Sequence, residues 1–209
     1  MTTLLLTGFE PFGDHFVNPS EMIAKELNGQ EFSKIQVIGK TIPLRFNEIK
    51  REITELIDKY EPEIIINMGQ ASRSAISIEK VAINLANTNK IVYNCGSKPE
   101  EEILEPSGPT AYFSSLPIKI LVEYLNEYQI PSYISYSAGT FGCNQIMYHS
   151  LNHISMKKKP PSCIVGFIHL PLLPEQVLNS PHSPSMDYNM MKTSILLVIS
   201  KLGEVALTG

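Results

Sequence analysis

The chain has 209 residues, 43% of them hydrophobic, which suffices for one compact domain spanning residues 1–209 with a sizeable core. Its formal net charge of -4 leaves no positive field that would attract nucleic acid or an anionic membrane. The three cysteines lack CxxC spacing, which argues against a disulfide framework and a structural zinc site. The sequence shows no signal-peptide core and no apolar stretch long enough to span a membrane. We therefore expect a soluble cytoplasmic protein.

Strands alternate with helices in the first half of the chain. Short apolar runs predict strands, and apolar residues at helical spacing predict helices. Asn18 followed by Pro19 suits an N-cap and the first turn of a helix, where the missing N–H of proline costs nothing. The predicted elements are a strand at 3–6, a helix from residue 19, a strand at 35–42, a helix at 46–60, and strands at 64–68 and 76–85.

The second half of the chain begins with residues 86–115, which contain three prolines and two glycines and predict a long loop. Loops of that length inside compact domains are often functional. Crossover helices between strands imply an α/β sandwich with a largely parallel sheet, although the segment 76–85 could break that order. After the loop, the predicted elements are a helix at 118–128, a strand at 133–136, a helix at 144–153, a strand at 163–169 and a final helix.

Cys143 follows Gly139 and Gly142 at a predicted strand–turn–helix junction. Free N–H groups and the positive end of a helix stabilise a thiolate there, and glycines allow the sharp turn that exposes a nucleophile. The alternative is a small core residue, the commoner position of a cysteine. Cys163, within an apolar strand, fits that alternative better, and Cys95 is undetermined. Cys143 is therefore the candidate nucleophile of a cysteine hydrolase.

A thiol nucleophile needs a histidine that carries its proton. His149 and His153 follow Cys143 on the same predicted helix, where they point away from it or lie too far along the axis. A zinc site built on this pair lacks a third ligand. We therefore expect these two histidines to be surface or structural residues.

His169 ends a predicted strand, and sites assemble at the carboxyl ends of strands in an open parallel sheet. The loop that carries Cys143 begins at the same edge. His15 and His182 lie in loops and stay open as alternatives. A carboxylate would orient the base, and spacing alone does not choose among three candidates. These candidates are Glu10, Asp14 and Glu79.

Several segments, taken in chain order, resemble motifs of the pyroglutamyl peptidase I family. The resemblance implies a single-domain α/β/α sandwich with a twisted, largely parallel (mixed) sheet, a cytoplasmic location and no metal or cofactor. It also implies hydrolysis of the bond after the N-terminal pyroglutamate of a peptide, and assembly into a homotetramer. The matching segments are 7–13 with 18–20, 69–71, 79–85, 137–144 and 166–171.

The resemblance assigns a catalytic set of Cys143, His169 and Glu79. Cys143 would form a thioester, His169 would act as acid and base, and Glu79 would hold the imidazole in the productive tautomer. Pyroglutamate is a small neutral lactam, so its pocket should combine flat apolar walls with a few hydrogen-bonding groups. The family pocket positions are Phe9, Phe12 and Phe141, together with Gln70, whose backbone would meet the lactam.

The chain also departs from the family pattern. The residue before the nucleophile, commonly valine, is Gly142, and the expected Gly-Gly-Arg reads Ser-Arg-Ser at residues 72–74, so the pocket could be looser. A basic residue with an oxyanion role aligns with either Asn89 or Lys90. Two alternatives therefore stay open: a thiol amidase acting on another small cyclic or amide substrate, and a binding module that has lost turnover.

Overall fold

A computed structural model describes residues 2–88, 91–157 and 163–206 of the chain. Strands and helices alternate through these residues, as the sequence predicts. The strands are β1 (Thr2–Phe9), β2 (Glu31–Phe32), β3 (Ile35–Ile42), β4 (Ile64–Gln70), β5 (Ile76–Glu79), β6 (Val81–Ile83), β7 (Ala111–Phe113), β8 (Ser132–Ser135) and β9 (Ile164–Leu170). The helices are α1 (Pro19–Leu27), α2 (Phe46–Tyr60), α3 (Ile118–Glu127), α4 (Gly142–Met156) and α5 (Tyr188–Ala206), with a 3₁₀ helix at Pro174–Val177.

One sheet organises the described residues, with the strand order β2-β3-β1-β4-β9-β5-β8. The central strands β3, β1, β4 and β9 are parallel, so the prediction of a largely parallel sheet is confirmed. β5 runs antiparallel to β9 and parallel to β8. The chain then leaves this sheet, and β6 pairs with β7 in a separate antiparallel hairpin. The segment 76–85 thus breaks the parallel order, as the sequence suggested.

Helices cover both faces of the sheet, which confirms the α/β/α layering. The apolar faces of α1, α3 and α5 pack on one side, and those of α2 and α4 pack on the other. Ile64–Gln70 is buried along its whole length. A central parallel strand covered on both faces needs such a continuous apolar run rather than an alternating one.

Two helix starts carry the information most relevant to function. Asn18 caps α1 and accepts a hydrogen bond from Ser20 N at 3.1 Å, with Pro19 in the first turn, as predicted. α4 begins at Gly142 rather than near residue 144, which places Cys143 in its first turn.

The single strand predicted at 76–85 is two strands, and the predicted loop at 86–115 contains β7. Among the described residues, no helix is long and apolar enough to span a membrane.

Candidate active site

Three neighbouring strands bring the polar residues together at one edge of the sheet. In the strand register His169 of β9 lies opposite Gly69 of β4 on one side and Ser77 of β5 on the other. Glu79 lies two residues beyond Ser77, and so on the same face of the sheet, because side chains alternate along a strand. The antiparallel direction of β5 is what places this glutamate beside the histidine.

Cys143 approaches the same face from α4. A Cβ atom added at Gly69 would lie 2.8 Å from Cys143 Sγ and 2.9 Å from Phe167 Cζ. Gly69 and His169 are register partners, so the thiol lies on the side of the sheet toward which the imidazole projects. Glycine is required at position 69 because any side chain would occupy the space of the sulfur.

The imidazole of His169 is held by Glu79. His169 Nδ1 is 2.7 Å from Glu79 Oε1, and the same oxygen accepts a hydrogen bond from Ser77 Oγ at 3.3 Å. Glu79 is 0% exposed. Burial alone would raise the pKa of Glu79, but the hydrogen bond and charge of His169, with Ser135 and Arg73, lower it overall. The carboxylate is therefore charged and can fix which imidazole nitrogen carries the proton.

Arg73 completes this cluster. Its Nη1 donates to Glu79 Oε1 at 2.6 Å and also to Ser77 Oγ, and its Nη2 donates to the Ser137 carbonyl at 3.2 Å. The sequence motif identified this residue only as a departure from the family pattern. No local signal would have found it, because its partners come from β5 and from the loop before α4.

Hydrogen bonds from the two residues that follow Cys143 hold the start of α4 in place. Asn144 Nδ2 donates to the carbonyls of Ile83 and Leu85 at 2.9 and 3.0 Å, and its Oδ1 accepts from Ile83 N at 2.8 Å. Gln145 Nε2 donates to the carbonyl of residue 46 at 2.8 Å. Gln145 Oε1 also accepts a hydrogen bond from the Tyr93 hydroxyl at 3.1 Å, so both buried amides hold the turn that carries the nucleophile in one position.

The pKa of Cys143, the candidate nucleophile, is higher than its position at a helix N-terminus would predict. Burial and the charge of Glu79 raise the pKa of Cys143 to about 12, although Arg73 and the local backbone act in the opposite direction. The pKa of His169 is lowered, because burial outweighs the favourable hydrogen bond and charge of Glu79. These shifts favour a neutral thiol and a neutral imidazole at rest, with desolvation of Cys143 opposing the stabilisation that a helix N-terminus gives to a thiolate.

A cavity of about 460 Å³ opens beside Cys143 and His169. Phe12, Gln70 and Phe141 lie in its wall. The ring centroids of Phe12 and Phe141 are 5.9 Å apart, and the ring of Tyr93 supports Phe141 from behind at 4.3 Å. The wall is thus aromatic on one side and polar on the other. The remaining lining residues are Ala71, Ser72, Arg73, Ile91, Ser137, Ala138 and Gly139.

Of the two other predicted pocket residues, Gln70 lines this cavity and Phe9 does not. Phe9 is 1% exposed and lies outside the set of residues that lines the cavity, packed behind Gly69 and Gly142. Gln70 ends β4, and its Oε1 accepts from Gln176 Nε2 at 2.9 Å, which ties the 3₁₀ helix to the cavity wall. The Nε2 of Gln70 is buried and has no partner within the described residues.

The space beside Gly142 is filled by Leu44. A Cβ atom added at Gly142 would lie 2.4 Å from Leu44 Cδ1 and 3.6 Å from both Ile49 Cδ1 and Phe9 Cζ. Leu44 is 1% exposed, so its side chain occupies the volume that a larger residue at position 142 would need. The change from valine to glycine therefore does not open a gap on this side of the nucleophile.

The other sequence candidates lie elsewhere. His15 and His182 are outside the cavity lining, and Asp14 is exposed. Glu10 Oε1 accepts hydrogen bonds from Leu44 N and Asn94 Nδ2 at 2.9 and 2.7 Å, which joins two loops. His149 is 3% exposed and His153 contacts Asp58, in keeping with structural roles. Asn89 and Lys90 lie outside the described residues.

The described residues contain no cluster of three or more His, Cys, Asp or Glu side chains that could hold a metal ion. The chemistry available at the cavity is that of a thiol, an imidazole and a carboxylate. This fold and this pairing of side chains define the class of thiol hydrolases built on an α/β sheet.

Comparisons with known proteins give the family. The sequence model of the pyroglutamyl peptidase family matches residues 2–203. The chain is 43% identical to the pyrrolidone-carboxylate peptidase of Pyrococcus furiosus, covering 98% of this chain and 97% of that protein. It is 40% identical to the pyrrolidone-carboxylate peptidase of Bacillus mycoides, covering 98% and 94%. The chain therefore belongs to the pyroglutamyl peptidase family.

The fold agrees with this assignment. The crystal structures of pyrrolidone carboxyl peptidase from P. furiosus and its cysteine-free mutant include a chain that superposes with a TM-score of 0.91. The identity is 42%, and the match covers 99% of each chain. The resemblance that the sequence motifs suggested is confirmed over nearly the whole length.

Proposed function

We propose that this chain is a cysteine exopeptidase that hydrolyses the bond after an N-terminal pyroglutamate, with Cys143 as nucleophile, His169 as acid and base, and Glu79 as the residue that orients His169. The observation that carries the proposal is the placement of Cys143 and His169 on the same face of the sheet, with His169 Nδ1 2.7 Å from Glu79 Oε1. Membership of the pyroglutamyl peptidase family supports the substrate class.

In the acylation step, the neutral thiol transfers its proton to His169 Nε2 as Sγ attacks the pyroglutamyl carbonyl carbon. Glu79 occupies Nδ1, which leaves Nε2 as the nitrogen that would exchange a proton with the sulfur. The amide C–N bond then breaks, and the proton on Nε2 passes to the departing peptide amine. The products are a thioester on Cys143 and a peptide shortened by one residue.

Deacylation reverses the roles. A water molecule gives its proton to His169 Nε2 and adds to the thioester carbonyl, the C–S bond breaks, and the proton returns to the sulfur. The first-turn N–H of Cys143 is a suitable donor to the developing oxyanion, because the first N–H groups of a helix lack intrahelical partners. Free pyroglutamate and a neutral thiol result.

The cavity suits a small neutral lactam. The rings of Phe12 and Phe141 offer flat apolar surface, with Phe9 as support behind the wall, and the backbone of Gln70 offers hydrogen-bonding groups at the end of β4. An unmodified peptide N-terminus is a cation, which such a wall would desolvate without pairing it. We therefore expect selectivity for pyroglutamyl over unmodified N-termini.

The test is hydrolysis of a pyroglutamyl anilide, with proline and glutamine anilides alongside. Cys143→Ala should abolish hydrolysis while the circular dichroism spectrum and the melting temperature remain those of a folded protein. Turnover of the pyroglutamyl anilide by Cys143→Ala would refute the role of this residue. Preference for the proline or glutamine anilide would favour a related thiol amidase instead, and no turnover of any substrate would favour a binding module.

Alkylation of the nucleophile needs one control. Cys95 is exposed, and hydrogen bonds from Ser97 and the backbone outweigh burial and lower its pKa, so iodoacetamide will react there as well. A Cys95→Ser variant removes this competing site. We expect iodoacetamide to inactivate Cys95→Ser as completely as the wild type, with one carboxamidomethyl group on Cys143.

Location and assembly are part of the same proposal. We expect a cytoplasmic enzyme that acts on pyroglutamylated peptides as a homotetramer, in line with the family resemblance. Two exposed aromatic side chains support self-association: Phe113 of β7 is 71% exposed, and Tyr136, which follows β8, is 72% exposed. Light scattering coupled to size-exclusion chromatography measures the mass directly, and a monomer at micromolar concentration would contradict the tetramer.

A further inference from the structure

Within the described residues, three side chains donate hydrogen bonds to the same oxygen atom of Glu79. Glu79 Oε1 receives His169 Nδ1 at 2.7 Å, Arg73 Nη1 at 2.6 Å and Ser77 Oγ at 3.3 Å. Glu79 Oε2 is buried and has no hydrogen-bond partner within the described residues. The guanidinium and the imidazole therefore share a single acceptor, and the position of one constrains the other.

Arg73 reaches this oxygen from the cavity side. Its side chain is 23% exposed and lies in the cavity wall, while Glu79 is fully buried behind it. Its Nη2 also donates to the Ser137 carbonyl, in the loop that leads to Cys143. One planar guanidinium thus connects β5 with the loop before α4, a geometry that the rigid fork of arginine provides and a lysine ammonium does not.

The charged side chains that act on His169 are Glu79 on β5 and Arg73 in the loop after β4, and the thiol of Cys143 on α4 lies in the wall of the same cavity. Arg73 is the cation bonded to Glu79 within the described residues. Lys80, next to Glu79 in sequence, instead places its Nζ 5.6 Å from the centroid of the Phe113 ring. A buried carboxylate that lacked a cation would take up a proton more readily and orient the imidazole less firmly.

We propose that Arg73 is a positioning residue of the active site: by binding Glu79 Oε1 and the Ser137 carbonyl together, it keeps the carboxylate ionised and aimed at His169. This inference rests on the proposed roles of Cys143, His169 and Glu79. It gives a function to the Ser-Arg-Ser segment at 72–74, which the sequence presents only as a departure from the family pattern.

The direction of the effect on titration follows from the sign of the charge. The positive charge of Arg73 lowers the pKa values of Glu79, His169 and Cys143. Its removal should raise all three. Hydrolysis requires neutral His169 to accept the thiol proton, so the acid limb of kcat/KM should move to higher pH. Alkylation requires the thiolate, so the pH at which Cys143 reacts should also move up.

The variants are Arg73→Gln, Arg73→Lys and, as a matched loss of one positive charge, Lys80→Gln. All are made in the Cys95→Ser background and compared with that parent. The acid limb of pyroglutamyl anilide hydrolysis is measured as a function of pH. The rate of Cys143 alkylation is measured at one fixed pH near neutrality by mass spectrometry of the Cys143 peptide. Thermal melting shows which variants are folded.

In Arg73→Gln the acid limb should rise by about one pH unit and alkylation of Cys143 at the fixed pH should slow about tenfold, while kcat falls and KM changes little. Lys80→Gln should change neither the acid limb nor the alkylation rate. Arg73→Lys keeps the charge, so its acid limb and alkylation rate should stay near the parental values while kcat falls about fivefold for the lost fork of hydrogen bonds. If Arg73→Gln does not fold, Arg73→Lys still tests the proposal, because a parental acid limb with a lowered kcat is expected only of a positioning residue.

Three results would overturn the proposal: an unchanged acid limb and alkylation rate in Arg73→Gln, parental kcat in Arg73→Lys, or a rise in KM alone, which would make Arg73 a substrate contact. Alkylation needs no pyroglutamyl substrate. If the enzyme is inactive on the anilide but Cys143 alkylation still slows in Arg73→Gln, the proposed function is refuted while the effect of Arg73 on the thiol stands.

Discussion

The packing of Leu44 against Gly142 predicts that a valine at position 142, the residue that the family resemblance leads us to expect there, is not tolerated alone in this chain. The first added atom would lie 2.4 Å from Leu44 Cδ1, whereas ordinary contacts begin near 3.4 Å, so the overlap is about 1 Å before the two methyl groups are counted. Leu44 is buried and cannot move its side chain into solvent. We expect Gly142→Val to lower the free energy of unfolding by about 2 kcal/mol through overpacking.

Activity should fall more than stability. Gly142 immediately precedes Cys143, so relief of the overlap displaces the nucleophile from its place beside Gly69. A displacement of about 1 Å at a reacting group typically costs about a hundredfold in rate. Leu44→Ala alone should cost about 3 kcal/mol, because it leaves a cavity beside Gly142.

The double variant tests the contact itself. With Leu44→Ala, the methyl groups of the introduced valine would enter the vacated space, so the two losses in unfolding free energy should not add. We expect a coupling energy of about 2 kcal/mol and partial recovery of kcat/KM. Urea unfolding gives the stabilities, and pyroglutamyl anilide hydrolysis gives the rates. Gly142→Val combined with Leu121→Ala, in the core on the opposite face of the sheet, is the additive control. Additive costs for Gly142→Val and Leu44→Ala would refute the reasoning.

Three further predictions concern neighbouring parts of the structure. Gly69→Ala should reduce kcat/KM about a hundredfold in the anilide assay, since its methyl group would lie 2.8 Å from Cys143 Sγ; activity near wild type would be incompatible with this geometry. Glu10→Ala should cost about 2 kcal/mol in urea unfolding by leaving the Leu44 N–H unpaired, without moving the acid limb of kcat/KM. Burial lowers the pKa of His149 from 6.5 to about 4; the unfolded chain therefore binds the proton first, and stability should fall by about 3 kcal/mol as the pH drops from 6.5 to 4. His149→Gln should flatten this part of the curve of unfolding free energy against pH, and an unchanged slope would contradict it.

The pKa values set the expected pH dependence of catalysis. Because the pKa of His169 is lowered from its ordinary value of 6.5, the acid limb of kcat/KM should lie below pH 6.5. The raised pKa of Cys143 favours a neutral thiol at rest, and with a neutral thiol the proton transfer would accompany the attack rather than precede it. A limb above pH 6.5 in the wild type would contradict this picture.

The amino-acid sequence by itself determined the alternation of strands and helices. Apolar periodicity predicted α2 and β3 with the bounds that the structure gives, because these signals are local to each element. The capping pair Asn18 and Pro19 likewise marked the start of α1. The family motifs pointed to Cys143, His169 and Glu79 together, which lie far apart in the chain.

Only the tertiary structure decided how those residues meet. The antiparallel run of β5 places Glu79 beside His169, and periodicity carries no information on strand direction. The partners of Arg73 and the neighbour of Gly142 come from other segments of the chain, so no local pattern predicts them. The raised pKa of Cys143 likewise follows from burial, which is a property of the packed protein and opposes the effect of the helix N-terminus that the sequence suggested.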